Sequence, residues 1–226
     1  EGPEIEADEH YFQKVCAATY FKTDSDSLKW HAPNHLLLGG RFAVSTPEAV
    51  ASCAKYCDVL SFNFYTLQPQ DGYDFAKLRE LDKPVMITEF NFGSRDRGPF
   101  WGGMTEVASE EARGPAYARF LKQAVAEPSI VGVHWFQYLD QPVTGRLLDG
   151  ENGHFGMIGI TDLPFTGFVD SVRKTNLLVL DQLGQEAAKA QVAADQAAKA
   201  PVHTPQDGSA GSSGPGHAGG HSGKGH

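Results

Sequence analysis

One short stretch, KPVMITEFNFG from Lys83 to Gly93, constrains the fold of this chain more than any other part of it. A proline after a charged residue leads into a short apolar run, which ends in Glu89 just before an aromatic and Gly-rich loop. This order is typical of a buried parallel strand that presents a carboxylate at its carboxyl end. In barrels of alternating strands and helices, residues at those ends carry the chemistry. Glu89 is therefore a candidate catalytic residue, and an internal ion pair is an equally good interpretation of this stretch alone.

Four apolar runs alternate with helical patterns along the chain, and they are predicted as strands at residues 35–42, 58–64, 83–89 and 130–138. Helices are predicted at residues 6–30, 73–81, 109–126 and 166–183, with a further short helix capped by Thr46. The stretch TDSDS, from Thr23 to Ser27, is expected to bend or fray the first helix. Strands that alternate with helices predict a parallel sheet covered by helices. Since a complete eight-unit barrel takes about 250 residues, four strands predict either a half barrel or an open, doubly wound sheet.

Composition excludes several classes of partner. A net charge of −9 and a pI near 5.4 argue against nucleic acid and against an anionic membrane surface, so a neutral ligand fits better. No apolar run is long enough to span a bilayer. The sequence has neither a GxGxxG motif after a strand nor a P-loop, and no cofactor is predicted.

No metal site is predicted either. The three cysteines, Cys16, Cys53 and Cys57, lack zinc-type spacing and are interpreted as buried small residues. The DGEN segment after Leu148 resembles part of a calcium loop, but the other ligand positions of such a loop are missing. A turn or a ligand contact is the better interpretation of DGEN.

The composition divides the chain into three segments. Residues 1–183 hold the predicted strands and helices. Residues 184–200 are Ala-rich, with helical propensity but no apolar stripe, and are predicted to extend the last helix. Residues 201–226 consist mainly of Gly, Ser, Pro and His, and are predicted to be disordered.

The residues at the ends of the predicted strands come in an informative order: Arg41, then Asn63 with Tyr65, then Glu89, then Trp135. This order resembles strands five to eight of the clan A glycoside hydrolases, retaining enzymes on a TIM barrel whose nucleophile ends strand seven. The closer resemblance is to glycoside hydrolase family 50, the β-agarases, over about residues 18–176. The segments that carry it are YFK at Tyr20, PNHLLLGGRFA at Pro33, VLSFNFY at Val59, KPVMITEFNFGSRDRG at Lys83, HWFQYLDQPVTGR at His134, DGEN at Asp149 and GITDLPF at Gly159.

The resemblance implies roles for individual residues. Glu89 would be the nucleophile that forms a glycosyl-enzyme ester. Tyr65 would donate to Glu89, which favours the ionised carboxylate and aims it. Trp135 would offer a flat apolar face to the sugar ring. Polar side chains at strand ends or in the two long loops are expected to bind sugar hydroxyls: Arg41, Asn63, Gln141, Arg146, Glu151 and Asn152.

The implied substrate is agarose or a related β-galactan, and residues 1–183 would be the C-terminal half of a (β/α)8 barrel. A retaining mechanism needs a second carboxyl about 5 to 5.5 Å from the nucleophile, which in the clan is a Glu that follows Asn at the end of strand four. No Asn-Glu pair occurs in this sequence. We therefore expect the chain to carry the nucleophile but not the acid/base, to be inactive alone, and to need a missing N-terminal barrel half or to self-associate.

Two other interpretations stay open. The clan can be right and the sugar different, as in a β-galactosidase-type enzyme. Alternatively, the chain is a non-catalytic carbohydrate-binding or relic half barrel. If the parent enzyme acts on a polysaccharide, a secreted or periplasmic location is expected.

Overall fold

Residues 2–199 are described by the structure, a computed structural model, and they form an α/β fold. Within this range, residues 2–183 make one compact unit and residues 184–199 belong to a second, in which the described side chains are exposed. The predicted disordered segment 201–226 lies outside the described residues. The elements are α1 Pro3–His31, α2 Pro47–Tyr56, β1 Leu60–Asn63, a 3₁₀ turn Pro69–Asp71, α3 Phe75–Glu80, β2 Val85–Phe90, α4 Glu110–Val125, β3 Ile130–Trp135 and α5 Thr166–Lys199.

The three strands form one parallel sheet in the order β1-β2-β3. The central strand is β2, so both of its edges are paired and its apolar run is explained. Its Val85 and Ile87 are fully buried and belong to a core that includes Tyr117 and Phe120 of α4. The predicted parallel sheet with covering helices is confirmed for these strands.

The first predicted strand, residues 35–42, does not form. Its backbone bonds to the chain around β1 at only two points, Leu37 and Phe42. Between them the chain leaves extended geometry, because Gly39 has a φ of 76° and Arg41 a φ of 47°. The prediction of four strands is therefore wrong for the described residues, which hold three.

The first helix is longer and more regular than predicted. The TDSDS stretch does not interrupt α1, which runs through it without a break. Within it, Asp26 lies one turn after Lys22 and forms an ion pair with it. The predicted cap of α2 is confirmed, since Thr46 Oγ1 accepts the Ala49 N–H at 3.3 Å. Within residues 2–199, no helix combines the length and the apolar character needed to cross a bilayer.

The central strand carries an irregularity next to Glu89. On β1, Phe62 pairs with Ile87, and the next residue, Asn63, pairs with Glu89. Thr88 is therefore left without a partner on β1, which is the pattern of a β-bulge. A bulge of this kind re-aims the side chains that follow it.

The bulge reverses the inward and outward alternation along β2. Val85 and Ile87 are buried on the helix side of the sheet, and after the bulge Phe90 continues that side. The Phe90 ring stacks on Phe120 of α4 with a centroid separation of 4.4 Å. Regular alternation along β2 would put Glu89 on the same face as Val85 and Ile87, but the bulge places it on the less buried side.

Candidate active site

The Glu89 carboxylate is the centre of a polar group that we name the strand-end cluster, formed by Arg41, Tyr65 and Glu89. The Tyr65 hydroxyl donates to Glu89 Oε2, and Arg41 Nη2 donates to Glu89 Oε1. The Glu89 side chain is 17% exposed, so it is neither sealed in the core nor free in solvent. Because each carboxylate oxygen has its own donor, the rotation of the carboxylate is fixed.

Both donors are held from neighbouring chain segments. Tyr65 lies just beyond the end of β1, on the strand that pairs with β2. Arg41 stands in a left-handed backbone conformation, and its N–H donates to Ser61 Oγ at 2.8 Å. Ser61 is fully buried, so it anchors the turn that brings the Arg41 guanidinium to Glu89.

The Tyr65 phenol is strongly biased toward its protonated form. Burial raises the pKa of Tyr65 above its ordinary value, and the hydrogen bond to Glu89 and the charge of that carboxylate raise it further. The charge of Glu151 acts in the same direction, whereas that of Arg41 opposes it. Tyr65 therefore remains a hydrogen-bond donor at neutral pH.

Trp135 lies in the hydrophobic core on the helix side of the sheet. Its ring is 5.2 Å from that of Phe90 and 5.1 Å from that of Phe168 of α5, measured between centroids. Its Nε1 donates to the Phe155 carbonyl at 3.0 Å. These contacts do not fit the expected role of Trp135 as an apolar face for the sugar ring, because the indole packs against core aromatic residues on the helix side.

Phe136 is the aromatic residue that contacts the strand-end cluster. Its ring lies edge-to-face with Tyr65, with 6.4 Å between centroids, and 5.9 Å from the ring of Phe155. Its N–H donates to the Phe90 carbonyl at 3.0 Å, which ties it to the end of β2. Sequence reasoning missed Phe136, although alternation along β3 places it opposite to Trp135.

A second polar group lies in the loop after β3. Glu151 Oε2 accepts from Gln141 Nε2 at 2.6 Å and forms an ion pair with Arg146, whose Nη2 lies 3.0 Å away. Gln141 is 1% exposed, and its Oε1 accepts the Gly153 N–H at 2.7 Å. Gln141 therefore supports Glu151 from inside the loop, and Glu151 and Arg146 are the partly exposed members of this group.

The two asparagines predicted to bind sugar are engaged within the protein. Asn63 Oδ1 accepts from the Thr88 hydroxyl at 2.9 Å, beside the bulge. Asn152 Nδ2 donates to the Val143 carbonyl at 3.4 Å, within the loop after β3. Both are half-buried and stabilise the surroundings of the cluster.

A buried charged residue, Arg113 of α4, supports the loops behind the site. Its side chain is fully buried, and Nη1 donates to Glu110 at 2.6 Å. Its other nitrogens donate to the carbonyls of Phe92 and Gly156, at 2.8 and 2.6 Å. Arg113 thereby joins α4 to the loops that follow β2 and β3.

His154 completes this buried network. Its Nδ1 lies 2.8 Å from Asp140 Oδ2, and its Nε2 lies 2.7 Å from Glu110 Oε2. Burial opposes the charged imidazole, but the hydrogen bonds with Asp140 and Glu110 outweigh it and raise the pKa of His154 above its ordinary value. Sequence reasoning missed this network.

The cysteines behave differently from one another. Cys53 and Cys57 are buried, as expected, and burial raises the pKa of both thiols. Cys16 is exposed on α1, which corrects the expectation for that residue. Within residues 2–199, no three or more His, Cys, Asp or Glu side chains converge in a way that could hold a metal ion.

Comparison with known proteins identifies relatives among polysaccharide hydrolases. No family model matches the chain. β-Agarase B of Vibrio sp. (strain JT0107) is 44% identical over 165 residues, which cover 72% of this chain and 17% of the relative. β-Agarase A of the same strain is 39% identical over 178 residues, which cover 76% of this chain and 18% of the relative. The chain thus spans less than a fifth of the length of these curated relatives.

Solved structures agree with the sequence comparison. The chain superposes on an exo-β-agarase with a TM-score of 0.76 and 37% identity, covering 80% of this chain and 24% of that one. It superposes on a second agarase with a TM-score of 0.73 and 37% identity, covering 79% and 28% of the two chains. The predicted relation to the β-agarases is thereby confirmed, and the chain is a homologue of a segment of these glycoside hydrolases.

Proposed function

We propose that this chain supplies the nucleophile of a retaining glycoside hydrolase that cleaves agarose or a related β-galactan. Residues 1–183 would correspond to strands five to eight of a (β/α)8 barrel, with their helices. The observation that carries the proposal is that both oxygens of Glu89, at the end of the central strand, are held by Tyr65 and Arg41. Similarity to β-agarases across this region supports the same assignment.

The cluster suits a double-displacement reaction. A Glu89 oxygen attacks the anomeric carbon, the bond to the leaving oxygen breaks, and a glycosyl-enzyme ester forms. Water then hydrolyses the ester and releases Glu89 as a carboxylate. Tyr65 and Arg41 orient the carboxylate before the attack. The proton for the leaving oxygen comes, in this proposal, from a second carboxyl outside this sequence.

A purely structural ion pair explains the cluster less well. The Arg41 side chain is 57% exposed, and ion pairs in contact with water contribute about 0 to 1 kcal/mol to stability. Arg41 also adopts a left-handed backbone conformation, which non-glycine residues rarely adopt. An exposed ion pair is a weak reason for such a conformation, whereas orienting a nucleophile is a strong one.

The loop after β3 would supply part of the sugar-binding surface. Glu151 and Arg146 are partly exposed, and the charge of Glu151 reaches Tyr65. We assign hydroxyl binding to these two residues and to Arg41. We assign support of the site to Gln141, which is 1% exposed and bonds to Glu151. We assign the same role to Asn63 and Asn152, which bond to Thr88 and to the Val143 carbonyl.

The partner that we propose is the rest of a barrel or a second copy of the chain. On one side of the sheet, Leu36 and Leu38 are 64% and 43% exposed, and on β3 Val131 is 63% exposed. Apolar side chains at sheet edges favour association. Light scattering on the purified chain is expected to show oligomers, and the substitution Val131→Lys is expected to reduce them. A monomeric parent chain at high concentration would contradict this part of the proposal.

The nucleophile can be identified by trapping. A 2,4-dinitrophenyl 2-deoxy-2-fluoro-β-galactoside has a leaving group that needs no protonation, and its fluorine slows the second step. The experiment uses the longer enzyme, meaning this chain together with the proposed rest of the barrel. After treatment with the fluorogalactoside, we expect mass spectrometry to find the fluorogalactosyl group on the peptide that contains Glu89. The variant Glu89→Gln should give no adduct, whereas Glu106→Gln, which removes an exposed carboxylate paired with Arg95, should label like the parent.

Two outcomes would contradict the proposal: an adduct on another carboxylate, or full hydrolytic activity of Glu89→Gln. The sugar is tested separately, by comparing products from agarose with release from aryl β-galactosides. Faster turnover of aryl galactosides, with agarose left intact, would favour the β-galactosidase-type alternative.

A further inference from the structure

We infer that Thr88 and Asn63 are positioning residues: together they hold the β-bulge that turns Glu89 toward Tyr65 and Arg41. The geometric part of this inference stands on contacts alone. Its catalytic consequence rests on the proposed function, in which Glu89 is the nucleophile.

The Thr88 hydroxyl bonds across the gap in strand pairing. It lies 3.2 Å from the Phe62 carbonyl oxygen and 2.9 Å from Asn63 Oδ1, so its single proton is shared between two acceptors. These acceptors belong to consecutive residues of β1, between which the register shifts. The hydroxyl therefore bonds to β1 at the point where backbone pairing skips Thr88.

The backbone on the far side of the bulge is fixed by both neighbouring strands. The Phe64 N–H donates to the Glu89 carbonyl at 2.8 Å, and the Phe136 N–H donates to the Phe90 carbonyl at 3.0 Å. Because these carbonyls are held, the face on which the Glu89 side chain lies depends on the pairing just before it. That face changes if one residue of β2 is left unpaired with β1. Thr88 is the skipped residue.

The alternative register explains why a specific anchor is needed. Without the bulge, Glu89 would follow Ile87 into the apolar side of the sheet, and Phe90 would leave its stacked contact with Phe120. A valine at position 88 would have the same branched shape and a higher strand preference, but it has no hydroxyl to bond to β1. The hydroxyl of Thr88 is therefore the group that distinguishes a bulge anchor from an ordinary strand residue.

The test uses the hydrogen bond of Tyr65 to Glu89 as its signal. In the full chain labelled with ¹³C at tyrosine Cζ, the Tyr65 resonance is assigned by its loss in Tyr65→Phe. The chemical shift of the Tyr65 resonance in Glu89→Ala is the reference for a phenol that lacks the hydrogen bond to Glu89. We expect Thr88→Val to move the resonance at least half of the way to that position, and Thr88→Ser, which retains the hydroxyl, to leave it near the parent value.

Two further variants complete the design. Thr175→Val removes another buried threonine, on α5, and should leave the resonance unchanged. Asn63→Ala removes one acceptor of the Thr88 hydroxyl and should shift the Tyr65 resonance less than Thr88→Val does. If Thr88→Val does not fold, the Tyr65 resonance of Asn63→Ala is the test of the inference. A parent-like resonance in Thr88→Val, or in Asn63→Ala when it decides alone, would overturn the inference.

The consequence for catalysis is measured separately in the longer enzyme. Thr88→Val should lower kcat at least tenfold with KM within twofold of the parent, and Thr88→Ser should restore most of the rate. Unchanged kcat with a shifted Tyr65 resonance would refute the catalytic consequence while leaving the bulge assignment intact, and the nucleophile itself is tested by Glu89→Gln. Unchanged resonance and unchanged kcat would refute the bulge assignment.

Discussion

The Tyr65 hydroxyl donates to the Glu89 carboxylate across two adjacent strands, and Arg41 donates to the other oxygen of the same carboxylate. Tyr65 lies just beyond β1, Glu89 lies near the end of β2, and Asn63 pairs directly with Glu89. The parallel arrangement brings the two strand ends to one edge of the sheet, which is why side chains 24 residues apart in sequence meet.

Removal of the Tyr65 hydroxyl should reduce the rate of the longer enzyme and leave substrate binding nearly unchanged. A hydrogen bond to a charged group contributes about 1.5 to 3 kcal/mol, so Tyr65→Phe should lower kcat about 10- to 100-fold. Steady-state kinetics on agarose oligosaccharides measure this effect. Tyr56→Phe, on α2, is the matched control and should have parent kinetics. Parent-like kcat in Tyr65→Phe would remove Tyr65 from the site.

The two adjacent aromatic residues after β3 should respond differently to truncation. Trp135 packs among core aromatics, so Trp135→Ala should lower the free energy of unfolding by about 3 kcal/mol. Phe136 contacts Tyr65, so Phe136→Ala should lower the rate of hydrolysis. It should lower the free energy of unfolding less than Trp135→Ala does. Urea denaturation and kinetics on both variants separate the effects. Equal loss of stability, with no difference in activity, would contradict the assignment of the two rings to opposite sides of the sheet.

The sequence predicts the position of Glu89 along the chain but not the direction of its side chain. An apolar run bounded by Pro84 and a Gly-rich loop specifies a buried strand, and the strand must deliver its last polar residue to the loops. The direction depends on the bulge at Thr88, which arises from one hydroxyl bonding to a neighbouring strand. No local pattern distinguishes that threonine from a regular strand residue.

The first predicted strand fails for a related reason. The apolar run after His35 has strand composition, but Gly39 and Arg41 take positive φ angles, so the segment cannot continue a ladder. Arg113 is a case in which a signal was present. It occupies the same helix face as Tyr117, Phe120 and Ala124, all of which are buried, so a charged side chain at that position predicts a buried partner.

Removal of the buried Arg113 charge should strongly destabilise the chain. The substitution Arg113→Met removes the Arg113 ion pair with Glu110 and leaves Glu110 with His154 alone. Breaking one side of a buried pair costs about 3 to 5 kcal/mol. Arg119→Met, at an exposed position of the same helix, should change stability by less than about 0.5 kcal/mol. Chemical denaturation measures both. Similar stabilities for the two variants would show that the Arg113 network contributes nothing specific.

The pKa of His154 makes the stability of the chain depend on pH near neutrality. Although burial opposes the charged imidazole, Asp140 and Glu110 raise its pKa above the ordinary value, so the folded state binds its proton more tightly than the unfolded state does. This contribution to stability is fully present below the unfolded pKa of about 6.5. It is lost as the pH rises through the higher folded value. The free energy of unfolding should therefore fall as the pH rises above about 6.5.

Denaturation curves at several pH values in that range measure the slope, and His154→Gln should flatten it whatever its effect on absolute stability. His134→Gln, which changes an exposed histidine on β3, should keep the parent slope. The buried thiols of Cys53 and Cys57 have raised pKa values and would lower stability only at still higher pH. A proton that is held more tightly in the folded state requires the free energy of unfolding to fall as the pH rises. A parent chain whose free energy of unfolding stays constant or rises across the range would therefore contradict a charged His154 between Asp140 and Glu110.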